Sequence, residues 1–240
     1  RKWLRWGLWA IVPLGWHAIF LTGSRGGLVA LGAALITVLI VSNKKTLVLP
    51  LLVFFLIFYQ WQAGDVMTER SQQIVKYEGE GSAEMRLAAW AGGLGMILDQ
   101  PIFGVGLGSF ITALPDYYDT SPRVAHNTFV QFAAESGVGA GLAYIMIVLL
   151  FFLNSKKIRL WCLTSNDDEA YRIGLYNNAS TASFVGLTVC GLFLSLNTYE
   201  MFFVLLLFNN ALYQICLKKS QTVVSPRLKK RRGQLHETNA

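Results

Sequence analysis

Charged side chains are scarce in this sequence. Only 15% of the residues are Asp, Glu, Lys or Arg, whereas a soluble globular domain carries about 25%. Hydrophobic residues make up 53% of the chain, and the mean hydropathy is +0.42. This composition excludes an ordinary soluble domain and predicts an all-α protein that crosses a membrane several times.

Cysteine is also rare, which excludes two further classes of protein. Cys162, Cys190 and Cys216 are too few and too far apart for a disulfide framework or a metal cluster. The sequence also lacks an Asp-x-Asp pattern that could hold a metal ion. We therefore expect no metal site and no cofactor.

The net charge of +7 is unevenly distributed. Residues 218–240 hold seven Lys or Arg and one acid, so this tail contributes six of the seven units. A basic tail directly after a membrane span marks the cytoplasmic side, so we expect no nucleic-acid partner. The first apolar segment lacks a small-residue cleavage site, which argues against a cleaved signal peptide.

Apolar runs predict about six membrane-spanning helices. Residues 6–42 are too long for one span, because 1.5 Å per residue gives about 55 Å against a hydrocarbon core of about 30 Å. We expect two spans there, joined at Thr22-Gly23-Ser24. The other predicted spans lie near Leu47–Trp61, Ala140–Leu153, Leu175–Leu196 and Tyr199–Leu217.

Basic residues predict the orientation of these spans. With six spans, the basic clusters at residues 1–5, 44–45 and 156–159 fall on the same side as the tail, and the positive-inside rule makes that side cytoplasmic. Residues 1–61 would then hold three spans and residues 126–217 three more, with a cytoplasmic loop near 154–172. Residues 62–125 would form a large loop on the outer face.

The outer loop contains a predicted helix. Ser82 is a suitable N-cap, and Asp99-Gln100-Pro101 is a stop signal. Apolar residues recur at helical spacing, so we expect an amphipathic helix lying on the membrane surface with its apolar stripe inward. The stripe consists of Leu87, Trp90, Leu94 and Ile97.

Glycines predict two breaks in regular structure. Gly104-x-Gly106-x-Gly108 resembles a nucleotide-binding run only superficially, because no strand precedes it, so a tight turn is predicted. Ser136-Gly137 is a helix C-terminus signal. We therefore expect a break at Gly137–Gly139, with a short outer helix before it.

The chain has three histidines, and they differ in their surroundings. His236 lies in the basic tail, and His17 lies within the first span, where a packed core histidine competes with a functional one. His126 lies at the outer interface, at the start of a helix. Its pKa near neutrality suits a general base, although a structural role remains the alternative.

Three arginines are predicted on the outer face near membrane depth: Arg25, Arg86 and Arg123. A guanidinium stays charged and donates two hydrogen bonds from a planar fork, which suits a phosphate ester. If the three arginines converge beside His126, they form a site for a lipid-linked diphosphate without a metal. The alternative is that each one is an interfacial cation with its stem in apolar surroundings.

Other polar residues border the outer face. Glu135 and Glu200 would orient His126 or pair with an arginine, with simple interfacial solvation as the alternative. Asn127 is a further supporting residue, because it adjoins His126 at the helix start.

Three blocks of the chain together resemble the O-antigen ligase/polymerase family of bacterial membrane glycosyltransferases. Residues 22–27 (TGSRGG) open an Ala/Leu-rich span, and Arg86 and Trp90 precede residues 99–110 (DQPIFGVGLGSF). Residues 126–137 contain His-Asn-Thr-Phe-Val-Gln and Glu-Ser-Gly. The order and spacing are similar over residues 15–155, which would be the C-terminal half of a member, in keeping with the absence of an initiator Met.

The resemblance implies a multi-pass enzyme of the bacterial inner membrane with its site on the periplasmic face. It implies transfer of a glycan from undecaprenyl diphosphate to an acceptor hydroxyl without metal. Arg25 and Arg86 would bind the diphosphate, and His126 would activate the acceptor. Arg123 matches no family position and is included for its location alone.

The acceptor stays open at this point. Ligases of the family attach O-antigen to lipid A–core, polymerases extend the repeat unit, and related enzymes glycosylate proteins. The size of the loop favours a ligase. A transporter module is the rival from another class, but it predicts charged or polar residues deep in several spans, and these spans have few.

Overall fold

The computed structural model describes most of the chain from residue 80 onward and parts of the chain before it. The described residues are 7, 11, 14–19, 21–22, 24–42, 46, 49–50, 52–53, 56–57, 80–165 and 168–237. Over these residues all regular structure is helical, which confirms the all-α class. The helices are α1 (Arg25–Val41), α2 (Glu80–Asp99), α3 (Phe110–Tyr117), α4 (Thr128–Thr164), α5 (Asp168–Gly191) and α6 (Glu200–Glu237).

The chain divides into two compact units. The first comprises Arg1–Met146 and Ala182–Tyr199, and the second comprises Ile147–Thr181 and Glu200–Ala240. A core of fully buried side chains joins α2, α3 and the start of α4 in the first unit: Ala89, Met96, Phe110, Leu114, Ala125 and Ala134. The second unit has a core of its own on α4, α5 and α6: Ile158, Ile173, Leu212 and Cys216.

Two of the described helices are long and apolar enough to cross a membrane. They are α4 over Thr128–Thr164 and α6 over Glu200–Gln221, and Gly26–Val41 is a shorter apolar helix. The number of six spans stays a prediction. Residues 58–79, most of the predicted third span and the basic clusters at 1–5 and 44–45 lie outside the described residues.

Helix α4 is broken at Gly137, which confirms the predicted break. The residue has φ 86° and ψ 169°, a combination that is outside helical geometry and is almost restricted to glycine. A short segment from Thr128 therefore precedes the long apolar part of the helix.

The loop that follows α2 closes this break with main-chain hydrogen bonds. A break leaves carbonyl and amide groups unpaired inside a packed region, where they need partners. The loop supplies three bonds: Val105 N to Ala134 O at 2.9 Å, Gly106 N to Glu135 O at 3.1 Å, and Val138 N to Pro101 O at 2.8 Å. The two segments thus form one main-chain assembly.

The predicted tight turn is also confirmed. The three glycines of the turn have positive φ values: 64° at Gly104, 104° at Gly106 and 74° at Gly108. Residues with a Cβ atom rarely adopt such values. At Gly104 a Cβ atom would also lie 2.4 Å from the carbonyl oxygen of Ala134. The turn needs glycine there both for its φ and for the close approach to α4.

The predicted apolar stripe of α2 divides between two surroundings. Trp90 is half-buried and Ile97 packs against the core, whereas Leu87 and Leu94 are 60% and 55% exposed. The buried face consists of Ala89, Gly92, Gly93 and Met96, and the contact of the stripe with a membrane stays a prediction. Small residues allow close approach of the neighbouring helices, since a Cβ at Gly92 would lie 2.4 Å from the side chain of Leu114.

The ends of two helices differ from the sequence-based expectation. Helix α2 begins at Glu80, two residues before the predicted cap Ser82, but it ends at Asp99 as predicted. Helix α4 continues through the predicted loop at residue 154 as far as Thr164. Lysine, arginine and leucine there are good helix formers, so the charges mark a boundary in polarity and not the end of the helix.

Candidate functional site

His126 has an unusual backbone conformation at the start of α4. Its φ is 50°, and it is the only residue other than glycine with a positive φ in the described part of the chain. The next residue, Asn127, caps α4, because its Oδ1 accepts hydrogen bonds from Phe129 N at 3.0 Å and Val130 N at 3.2 Å. The cap begins the helix and leaves His126 just outside it, in a conformation that often marks a functional residue.

Helix α2 holds the segment before His126. The indole Nε1 of Trp90 donates a hydrogen bond of 2.8 Å to the carbonyl oxygen of Ala125, and Ala125 itself is fully buried. Arg86 precedes Trp90 by four residues, so both side chains project from one face of α2. Arg86, which the sequence predicts to bind a diphosphate, therefore lies on the same face of α2 as Trp90, whose indole bonds to Ala125 next to His126.

Electrostatics connect His126 with two of the predicted arginines. Burial lowers the pKa of His126 below its ordinary value, and the positive charges of Arg86 and then Arg123 lower it further. Like charges act in this way only at short range. The lowered pKa favours the neutral imidazole, which has a lone pair available to accept a proton.

Both arginines are half-buried, and neither pairs with a carboxylate among the described residues. Arg123 Nε donates to the carbonyl oxygen of Ser121 at 3.1 Å, and its Nη2 donates to Ser121 Oγ. Neutral partners hold this guanidinium in place without cancelling its charge. The site consequently combines a neutral histidine with two positive charges that can attract an anion.

Arg25 is the first residue of α1, and a local cap defines that position. Ser24 has extended backbone angles, and its Oγ accepts a hydrogen bond of 3.1 Å from Gly27 N. The amide groups of a helix N-terminus carry partial positive charge, which adds to that of an arginine. The side chain of Arg25 lies outside the described part of the structure.

One segment adjoins the starts of both α1 and α4. Thr128 is fully buried, and its Oγ1 donates to Leu194 O at 2.8 Å and accepts from Leu196 N at 2.9 Å. At the start of α1, a Cβ on Gly26 would lie 2.7 Å from Phe193 Cβ. Residues 192–199, which we name the α5–α6 segment, thus lie next to the helix starts that carry Arg25 and His126.

The predicted supporting residues have separate roles. Glu135 is only 4% exposed, and its Oε1 accepts a hydrogen bond of 3.0 Å from Gln131 Nε2. Its partner is thus Gln131 on the same helix. Glu200 is exposed and begins α6 in the second unit, a favourable place for an acid near a helix N-terminus.

Sequence reasoning missed Thr128 and Gln131. A threonine directly after a cap residue is common for local reasons, and nothing in the sequence shows that it binds a segment 66 residues away. Gln131 and Glu135 stand four residues apart, which is the spacing for a hydrogen bond along a helix. That spacing was a usable signal for the pair.

The arrangement is suited to one kind of chemistry. A neutral imidazole can remove a proton from a hydroxyl group, and guanidinium groups without a carboxylate partner among the described residues can hold an anionic leaving group. The first unit contains all of these groups, with Arg25 added at the neighbouring helix start.

Comparison with known proteins gives a family match. The family model described as O-Antigen ligase matches residues 10–145, which is more than half of the 240 residues. No curated protein and no solved structure matches the chain. The matched region includes Arg25, Arg86 and His126. The chain therefore belongs to the O-antigen ligase family and is a membrane enzyme that handles glycans.

Proposed function

We propose that this chain transfers a glycan from undecaprenyl diphosphate to a hydroxyl group of lipid A–core at the periplasmic face of the inner membrane. The observation that carries the proposal is the environment of His126. Its backbone has φ 50°, and burial together with the charges of Arg86 and Arg123 lowers the pKa of its imidazole, which favours the neutral form.

His126 acts as the general base. A sugar hydroxyl is a weak nucleophile at neutral pH, and a positioned base contributes about 10²–10⁴-fold to the rate. The imidazole takes the hydroxyl proton while the hydroxyl oxygen forms a bond to the anomeric carbon of the glycan. The bond between that carbon and the diphosphate oxygen breaks, and its electron pair leaves with the diphosphate.

Arginines stabilise the leaving diphosphate. Arg86 and Arg123 carry charges that no described carboxylate offsets, and a guanidinium fork can bind two phosphate oxygens at once. Arg25 contributes from the start of α1, where the helix amide groups add partial positive charge. With this charge in place, the diphosphate can leave without being protonated, and the reaction proceeds without a metal ion.

Donor binding then adjusts the base. The diphosphate brings negative charge to the two arginines that lower the pKa of His126. Their repulsion of a protonated imidazole is thereby offset, so the pKa of His126 rises towards its ordinary value when the donor is bound. The imidazole becomes a stronger base at the point where it is needed.

The apolar surface of α4 supports a site at the membrane interface. Immediately after the break, exposed side chains such as Leu142 and Met146 begin the apolar part of the helix. His126 precedes the break by eleven residues, at the outer end of the short segment. A polyprenyl donor needs this arrangement, because its tail lies in the hydrocarbon core while its diphosphate lies at the surface.

The accumulated intermediate after gene deletion tests the proposed function. Loss of a ligase leaves polymerised glycan on its lipid carrier and none on lipid A–core. Loss of a polymerase leaves lipid A–core that carries single repeat units. Normal glycosylation of lipid A–core after deletion would contradict both assignments.

A further inference from the structure

Two oxygen atoms of the α5–α6 segment are buried without a partner. Ser195 Oγ and Asn197 Oδ1 have almost no contact with solvent and no hydrogen bond within the described part of the chain. Buried polar side chains of native proteins nearly always have a partner, so each exception needs an explanation. A third such atom in the first unit, Gln131 Oε1, lies on α4 one turn beyond Thr128.

The segment is firmly held, so a loose loop does not explain these atoms. Thr128 Oγ1 bonds to Leu194 O and Leu196 N, on either side of Ser195. Tyr199 N donates to Leu196 O at 3.1 Å, which closes a turn around Asn197. The backbone of the segment is thus held by several hydrogen bonds, while the two side-chain oxygens have none.

The chemistry of the unpaired atoms restricts the ligand. An amide Oδ1 only accepts hydrogen bonds, so its partner must bring a hydrogen atom. At neutral pH a diphosphate diester bears acceptor oxygens without hydrogens and cannot satisfy it. A sugar ring has several hydroxyl groups that can donate to Asn197 and exchange hydrogen bonds with Ser195.

We propose that Ser195 and Asn197 bind the sugar that is attached to the diphosphate of the donor. This proposal rests on the proposed function and names the part of the donor that the α5–α6 segment recognises. The segment packs on Gly26, next to Arg25, and on Thr128, two residues after His126. A sugar held there lies next to the start of α1, which carries Arg25, and next to the start of α4, which follows His126.

Binding of two lipid probes by the purified full chain tests the proposal without requiring transfer. The probes are undecaprenyl diphosphate bearing one N-acetylglucosamine and undecaprenyl diphosphate without a sugar. Asn197→Leu removes the acceptor while keeping the branching at Cγ, and one lost hydrogen bond weakens binding roughly three- to tenfold. We expect that loss for the sugar-bearing probe and unchanged affinity for the bare diphosphate. Thr198→Ala, at an exposed neighbour, is the matched control.

Thermal stability separates binding from a structural role. A buried oxygen without a hydrogen-bond partner costs free energy of folding, so Asn197→Leu should retain or raise the wild-type Tm. Ser195→Ala provides the same comparison if Asn197→Leu does not fold. A lowered Tm in both variants, or affinities for the two probes that change equally or not at all, would overturn the proposal. Those results would leave glycan transfer itself intact, because transfer by the wild type is measured separately.

Discussion

Replacement of Gly137 by alanine tests whether the broken helix supports the site. The residue has φ 86° and ψ 169°, and a side chain in this region costs about 1–3 kcal/mol. The new Cβ would also lie 2.2 Å from the carbonyl oxygen of Ile102, so the loop after α2 must move. The bond of Val138 N to Pro101 O then fails, at about 1 kcal/mol.

The sum is a loss of about 2–4 kcal/mol, which lowers the Tm of a protein of this size by roughly 4–16 °C. Gly139→Ala is the matched control, because its Cβ meets nothing within 4 Å and alanine favours a helix. We expect Gly137→Ala to lose stability and glycan transfer in detergent-solubilised protein, and Gly139→Ala to lose neither. Equal Tm values and rates for the two variants would refute the idea that the break is built into the fold.

Three further expectations concern charge and topology. The ascending limb of kcat/KM should lie below pH 6.5, because the neutral imidazole is the active form and its pKa in the free enzyme is lowered; Arg123→Gln should move this limb to higher pH, and an unmoved limb would remove Arg123 from the site. Arg86→Lys keeps the charge but loses the planar fork that donates two hydrogen bonds. We therefore expect the variant to accumulate in the membrane and to lose most of its glycan transfer. Normal transfer by a double Arg25→Lys and Arg86→Lys variant would show that both arginines are only interfacial charges. A thiol reagent applied from the periplasm should modify a cysteine placed at Asp116 and not one placed at Ser220, and the reverse pattern would invert the topology and the site with it.

Features set by single residues could be predicted from the sequence. Asp99-Gln100-Pro101 ends α2, glycines at 104, 106 and 108 make the turn, and Gly137 breaks α4. In each case the local backbone preference decides the structure, because proline and glycine restrict or extend the available φ values. The place of His126 at a helix start is of the same kind, whereas its role as a base stays a prediction from the ordinary pKa of histidine.

Features set by tertiary contacts could not be predicted. The apolar period of α2 pointed to Leu87 and Leu94, but the helix buries its small residues because α3 and α4 approach closely there. The spacing of large apolar residues identifies the buried face of a helix only when those residues are the ones that pack against the core. In a membrane protein, large apolar residues are also favoured on a lipid-facing surface, so hydropathy alone does not distinguish the two faces.

The polar contacts around the site also could not be predicted from the sequence. Thr128 bonds to a segment 66 residues away, and the unpaired oxygens of Ser195 and Asn197 become apparent only when their surroundings are known. A sequence shows that a residue is polar but not whether it has a partner. For this reason the arginines and the histidine can be proposed as site residues from their chemistry in the sequence, whereas the residues of the α5–α6 segment cannot.

The rate of glycan transfer by a His126 variant tests the central claim most directly. His126→Ala removes the base, and His126→Asn removes it while keeping a residue type that tolerates a positive φ. Both should insert stably and bind the donor, yet transfer about 10²–10⁴-fold more slowly than the wild type in a single turnover. Transfer at the wild-type rate by His126→Asn, with donor binding intact, would show that His126 is structural and would contradict the mechanism.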